Sequence, residues 1–317
     1  MSTRRLAVID LGTNAARLLV ADVSEDGSWS PVAERRIACR LGEQLGQTGR
    51  IRHAAERRTG IALASLGERA RRAGAQRLRV IATHALRAAA NARDCRRRLE
   101  TRTGLRILVL SGADEARLVF AAARRWVVPE PGRSLVTLDL GGGSLELARD
   151  TPAGPRVLSM PLGAVIGAAA IPPAPAAPPR AIAGLRAAVA ALLRRQAADF
   201  EAAAPQPAAA GGTVTSTARL LGIPEPLSGR RIGSADVGDV LRRVARLDLA
   251  SRRRLPGIAD RADIVVPALA VLCETLRHLG ASNLVVLEYG LREGAIVAMH
   301  RDELPEPGAF TDDPGRD

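Results

Sequence analysis

The sequence predicts an α/β protein of two similar lobes. A strand ending in Asp-Leu-Gly occurs twice, in LAVIDLGTNAARLLVAD (6–22) and in LVTLDLGGGSLEL (135–147). Further short strands and helices follow each copy. Aligning Asp10 with Asp139 places Leu11 on Leu140, Gly12 on Gly141 and Leu18 on Leu147. At 317 residues the chain is long for one core and comfortable for two.

Each motif reads as a buried strand, a tight turn and a returning strand. Turn glycines accept backbone angles closed to other residues and leave their N–H groups uncovered. A run of such N–H groups forms a concavity suited to phosphate. Asp139 ends the second strand and Glu146 lies beyond its turn, two hard oxygen donors suited to Mg²⁺ carried on phosphates. Taken singly, the turn is equally consistent with an ordinary hairpin. Its recurrence favours two lobes, each presenting an acidic glycine loop to a shared cleft.

Composition narrows the chemistry. Of the residues 47% are hydrophobic but only 2% aromatic, so Leu, Val, Ile and Ala must build the interior. The net charge is +13, and every one of the 46 basic residues is arginine. The absence of lysine excludes a P-loop lysine and any Schiff-base mechanism. Arginine suits bidentate binding of phosphate oxygens, although GC-rich codon usage accounts for most of the excess. Cys39, Cys95 and Cys273 are odd in number and not in ligand spacing, which points to a reducing, cytoplasmic setting. No signal peptide or membrane span is expected. The histidines at 53, 84, 278 and 300 show no pairing suited to a metal or a triad.

In chain order, residues 6–9, 17–22 and 31–40 are expected to form a three-stranded meander, followed by a helix over 51–73 and a buried strand at 78–82. Thr83 is a candidate N-cap for a helix over 85–99, with Arg87 in its first turn, where an anion is also favoured. On position alone Arg87 reads more readily as a solvated helix arginine. A strand over 105–110 leads into a helix over 111–125, whose Asp114 and Glu115 suit a helix start. The meander returns at 134–140, 144–149 and 156–160. Residues 163–180, rich in Pro and Ala, read as an irregular connector. Helices are expected over 181–203, 237–250, 263–279 and 290–300, with a last strand at 283–287. Gly211, Gly212 and Thr213 form a second glycine and hydroxyl cluster before a helical segment. The lobes are placed at 1–126 and 127–301, the helix 290–301 being free to pack back on the first. Residues 302–317 are expected to be a disordered tail.

The ordered set VIDLGTNAARLLVAD (8–22), ATHALRAAANA (82–92), LSGADEARLVF (110–120), LDLGGGSLEL (138–147), SMPLGAV (159–165), GGTVTSTARLLG (211–222), ADRADIVVPALAVL (259–272) and GLREGAI (290–296) resembles the exopolyphosphatase / guanosine pentaphosphate phosphatase family. The resemblance spans nearly the whole chain and implies the actin-like ATPase fold, ribonuclease H-like in each lobe and shared with sugar kinases and heat-shock ATPases, around a central cleft. It further implies Glu115 as the catalytic carboxylate and Glu146 as the second, which orients water or metal. Asp10 and Asp139, with Glu146, would serve a divalent ion, Mg²⁺ or another. Gly12, Thr13, Asn14, Arg87, Gly141, Gly142, Gly143, Ser144, Gly212 and Thr213 would hold phosphates. Ile166 stands where relatives often carry arginine, and the resemblance is to the short, two-domain members of the family common in actinobacteria rather than to the longer ones that append a helical C-terminal region.

The expected activity is metal-assisted attack of water on the terminal anhydride of inorganic polyphosphate or of guanosine pentaphosphate. Crowded oxyanions must be neutralised and a water held in line, and no nucleophilic Ser, Cys or His constellation is evident. A kinase of the same fold and a non-catalytic polyphosphate or alarmone binder are the alternatives. Nucleic-acid binding is disfavoured by the scarcity of aromatic residues. The expected partner is a polyphosphate or nucleoside polyphosphate, with no membrane, and a homodimer is left open.

Overall fold

The computed structural model describes residues 3–171, 176–201 and 205–305. Strands β1 (Thr3–Leu11), β2 (Ala16–Ser24) and β3 (Trp29–Ile37) form a meander, followed by helices α1 (Leu45–Thr48) and α2 (His53–Arg72). Next come β4 (Arg77–Ala82), α3 (His84–Ala88), α4 (Ala92–Thr103), β5 (Ile107–Val109) and α5 (Gly112–Arg124). The second meander is β6 (Ser134–Leu140), β7 (Leu145–Arg149) and β8 (Arg156–Met160). It leads to α6 (Ala164–Ala168), α7 (Pro179–Gln196), β9 (Pro205–Ala210), α8 (Gly212–Leu220), β10 (Arg231–Gly233), α9 (Ser234–Ala245), α10 (Leu249–Arg253), α11 (Val265–His278), β11 (Asn283–Val286) and α12 (Leu291–His300).

Among the described residues, one compact unit comprises 3–118 and 291–305, and the other comprises 119–290. The first holds a five-stranded sheet in the order β3-β2-β1-β4-β5. β1 is buried from Leu6 onward, as its unbroken apolar run requires of a central strand. β3, with Pro31 and mostly exposed side chains, lies at the edge. Helix α2 turns Ala55, Ala62, Leu63, Leu66 and Ala70 to the interior, each leucine contributing roughly 1.5–3 kcal/mol by burial. Helix α12 packs on β1 and β2. Gly294 allows this helix to approach α5, since a Cβ there would overlap the Leu118 carbonyl.

The second unit holds a six-stranded sheet in the order β10-β11-β9-β6-β7-β8. Its core is aliphatic and centres on α11, buried on nearly every side. Both sheets repeat one pattern: an antiparallel hairpin whose first strand pairs in parallel with a strand beyond the meander. Leu11 pairs with Ala16 and Leu140 with Leu145, so each hairpin has a four-residue turn. The turns close alike, Gly12 N–H donating to the Ala15 carbonyl and Gly141 N–H to the Ser144 carbonyl, both at 3.0 Å. The chain is thus an α/β protein built from two copies of the ribonuclease H-like, actin-like topology.

Several elements differ from the sequence expectation. The helix expected over 85–99 is two helices, because Ala89 turns extended and the Asn91 amide clamps both backbone groups of Ile51, at 2.8 and 2.9 Å. β9 was missed, since proline and alanine carry little β propensity. Its prolines are tolerated because β11 pairs only at Ala208 and Ala209. The three-residue β10 was missed as well. The connector begins as helix α6 and ends inside α7, with 172–175 outside the described residues. The helix expected over 181–203 stops at Gln196 and a 3₁₀ turn follows at Ala198–Phe200, with 202–204 outside the described residues. The helix expected over 237–250 breaks before Asp248, whose side chain accepts from Ser251 N–H at 2.7 Å and caps α10. Of the expected tail, Asp302 pairs with Arg77 at 2.7 Å, and 306–317 lie outside the described residues.

Candidate active site

In the first unit, β1 delivers Asp10 one residue before its end, opposite Arg17 of β2. Asp10 is buried, and its Oδ1 accepts no hydrogen bond from the described residues. Burial raises its pKa, opposed by the charges of Arg17 and Arg292 and reinforced by Glu293. Gly12, Thr13 and Asn14 form the adjoining turn. Its outer side is fastened by Arg40 N–H to the Asn14 carbonyl at 2.8 Å and by Gly42 N–H to the Thr13 carbonyl at 2.9 Å. Arg292, in the first turn of α12, donates to the Leu18 carbonyl at 3.1 Å and pairs with Glu34 and Glu293.

The same unit brings Arg87 and Glu115 together. Glu115 lies in the first turn of α5, where the helix dipole favours a carboxylate. The N-terminus of α5 is organised by Ser111, whose hydroxyl donates to Asp114 at 2.7 Å and accepts from Asp114 N–H at 3.1 Å. The Arg87 guanidinium donates to Glu115 Oε1 and, at 2.8 Å, to the Leu110 carbonyl. Arg87 is therefore not the solvated helix arginine that position alone allows. Thr83 precedes α3 without a capping side-chain bond. Next to it, buried His84 is held neutral, its pKa lowered to about 4 by burial and then by Arg87.

In the second unit, Asp139 and Glu146 stand opposite each other on β6 and β7 and so share a face of the sheet. Ser159, one strand further, is opposite Glu146 and donates to its Oε1 at 2.8 Å. The loop of Gly141, Gly142, Gly143 and Ser144 between them is braced by Ala164 N–H to the Gly141 carbonyl at 3.1 Å and Val165 N–H to the Gly142 carbonyl at 2.7 Å. A Cβ on Gly163 would overlap the backbone of Gly142 and Gly143. Gly211 takes φ of 95°, and a Cβ there would come within 2.9 Å of Asp139 Oδ1. Gly212 and Thr213 begin α8. The Arg261 guanidinium occupies the space beside Gly212 that a side chain would fill, adding positive charge at a helix end that already favours anions.

The structure thus groups the expected residues as Asp10 with the 12–14 turn and Arg87 with Glu115 in one unit, and Asp139, Glu146, the 141–144 loop, Gly212 and Thr213 in the other. Sequence reasoning missed Ser159, Gly163 and Arg261. All three lie in motifs quoted from the sequence, but their roles depend on contacts with residues far along the chain.

The profile of the Ppx/GppA phosphatase family matches residues 19–303. The chain belongs to this family. An uncharacterized protein of Streptomyces coelicolor is 36% identical, covering 92% of this chain and 89% of its own. Exopolyphosphatase 1 of Mycobacterium leprae is 34% identical, covering 92% of this chain and 88% of its own. The crystal structure of the Aquifex aeolicus Ppx/GppA family member superposes with a TM-score of 0.77 at 24% identity, covering 96% of this chain and all of its own, and shares the fold. As a Ppx/GppA protein, the chain is a phosphohydrolase. None of its described helices is long and apolar enough to cross a membrane.

The oxygen donors are of the hard kind that suits a cation such as Mg²⁺. Asp10 leaves one carboxylate oxygen buried and unbonded, and Asp139 stands next to Glu146. Among the described residues no three His, Cys, Asp or Glu side chains gather closely enough to cage a metal. One or two carboxylates completed by phosphate oxygens and water is the usual Mg²⁺ arrangement.

Proposed function

We propose that this protein hydrolyses the terminal phosphoanhydride bonds of inorganic polyphosphate. The observation that carries the reading is the glycine loop 141–144, flanked by Asp139 and Glu146 and pressed into shape by Gly163. The exopolyphosphatase 1 relatives support the choice of substrate. Uncovered N–H groups of the glycine turns hold phosphate oxygens, aided by the α8 N-terminus with Thr213 and Arg261. Asp139 and Glu146, and separately Asp10, offer carboxylate oxygens to Mg²⁺, which when bound neutralises charge on the phosphates. Glu115 takes the proton of the attacking water, while Arg87 orients its carboxylate. Ser159 orients that of Glu146.

The terminal anhydride of guanosine pentaphosphate is chemically alike and is the second substrate to test. The experiment is release of orthophosphate from polyphosphates of defined length and from guanosine pentaphosphate, with and without Mg²⁺. Mg²⁺-dependent release from polyphosphate is the expected result. Tight binding without release would leave a binding protein, and transfer only to an added acceptor would indicate a kinase.

A further inference from the structure

The turns after β1 and β6 are each held from one side by the segment that follows their meander. In the first unit, Arg40 and Gly42 donate backbone N–H groups to the carbonyls of Asn14 and Thr13, at 2.8 and 2.9 Å. In the second, Ala164 and Val165 donate to the carbonyls of Gly141 and Gly142, at 3.1 and 2.7 Å. A trans peptide carries its C=O and its N–H on opposite sides. Carbonyls drawn toward the bracing segment therefore turn the N–H groups of Asn14 and Ala15 away from it, and likewise those of Gly142 and Gly143. None of these four N–H groups donates to an acceptor among the described residues. Ala15 and Gly143 are buried besides, where an unpaired N–H is uncommon. Successive N–H groups aimed the same way suit an anion.

Gly163 leaves the second turn the space its brace needs. Gly42 has the same part in the first unit. A Cβ on Gly42 would lie 2.2 Å from Thr13 Cγ2 and 3.5 Å from the Thr13 carbonyl oxygen. Thr13 is buried and β-branched, so its χ1 has little freedom to give way. The brace cannot easily retreat either. Cys39 and Leu41 are fully buried in the core of this unit, and Glu43 N–H closes back on the Arg40 carbonyl at 3.0 Å. Arg40 between them keeps a left-handed φ of 50°, an angle that a residue with a side chain holds only where its surroundings impose it.

We propose that Gly42 is a positioning residue for the reaction. By leaving room for Thr13, it lets segment 40–42 aim the N–H groups of Asn14 and Ala15 at a phosphate group of the substrate. The inference rests on the phosphohydrolase reading above.

The test is a mutant cycle on the full chain, read by calorimetry with tripolyphosphate. Gly42 does not take a positive φ, so Gly42→Ala changes the space and not the backbone preference. It should weaken binding about ten-fold or more, as expected for loss of a charged hydrogen bond. Thr13→Ser removes the methyl group that the new Cβ would strike. In that background Gly42→Ala should cost less than about three-fold, because the two changes are coupled through one contact. An equal cost in both backgrounds, or no cost in the first, overturns the proposal. Should Gly42→Ala fail to fold in either background, the wild-type amide spectrum decides. Tripolyphosphate should shift the Asn14 and Ala15 amide resonances, and unmoved resonances overturn the proposal. If polyphosphate is hydrolysed although these tests fail, only the part given to Gly42 falls. If the wild-type protein neither binds nor cleaves polyphosphate, the functional reading falls with it.

Discussion

Arg87 donates a charged hydrogen bond to Glu115, and the same guanidinium nitrogen reaches the Leu110 carbonyl. An arginine first singled out as a phosphate ligand thus also holds the candidate base. Glu115 is almost fully buried, so its carboxylate depends on this partner for much of the solvation that water would otherwise supply.

Glu115→Gln should lower turnover about 10²–10⁴-fold, the usual contribution of a positioned base, with polyphosphate affinity largely retained. Arg87→Ala should lower both kcat and stability, because it takes a charged hydrogen-bond partner from the buried carboxylate. The double variant should therefore unfold at higher denaturant concentration than Arg87→Ala alone. A double-mutant cycle in urea, paired with single-turnover kinetics, measures both effects. Additive stability losses would show that the pair is not coupled.

Arg98 has a structural part. It forms two hydrogen bonds, at 2.8 and 2.7 Å, to buried Glu56 of α2, and so ties α4 to α2. Arg98→Ala should destabilise the protein by roughly 2–3 kcal/mol, below the 3–5 of a fully buried pair because Arg98 is partly screened by solvent. Arg97→Ala, at an exposed i,i+3 pair, should stay within about 0.5 kcal/mol. Urea unfolding of the two variants tests the contrast.

Gly163→Ala places a methyl group against the backbone of Gly142 and Gly143, so the 141–144 loop must shift. Activity should fall by about 10²-fold, in line with a displacement of about 1 Å at a reacting centre. Gly184 lies inside α7 and faces open space. Gly184→Ala should stabilise by about 0.5–1 kcal/mol with unchanged activity. Parallel melting and phosphate-release assays separate the two glycines.

His84 makes stability depend on acidity. Its folded-state pKa is about 4 against 6.5 unfolded, so between these values the unfolded chain binds the extra proton. Its contribution is intact above about pH 6.5 and is lost progressively as pH falls toward 4. The loss amounts to about 3 kcal/mol, at 1.36 kcal/mol per pKa unit. His84→Gln should flatten the stability curve over that window in urea titrations at successive pH values. An unchanged slope would show that other groups carry it.

Much of this was legible along the chain. The alignment of Asp10 with Asp139 reappears as identical hairpin registers, because a period-two apolar pattern broken by glycine admits little else. The strand ends and turns that hold Asp10, Asp139, Glu146 and the glycines follow from local pattern alone, as does the placing of Glu115 at a helix start. Tertiary structure decided the rest. β9 is a strand because β6 and β11 flank its Pro-Ala segment, and α3 separates from α4 because Asn91 finds Ile51, forty residues away. The partners of Arg87 and Arg98 and the place of Arg261 beside Gly212 were equally hidden. Local sequence specifies backbone angles and which face is apolar. A long, charged, freely rotating side chain is placed only by what packs around it.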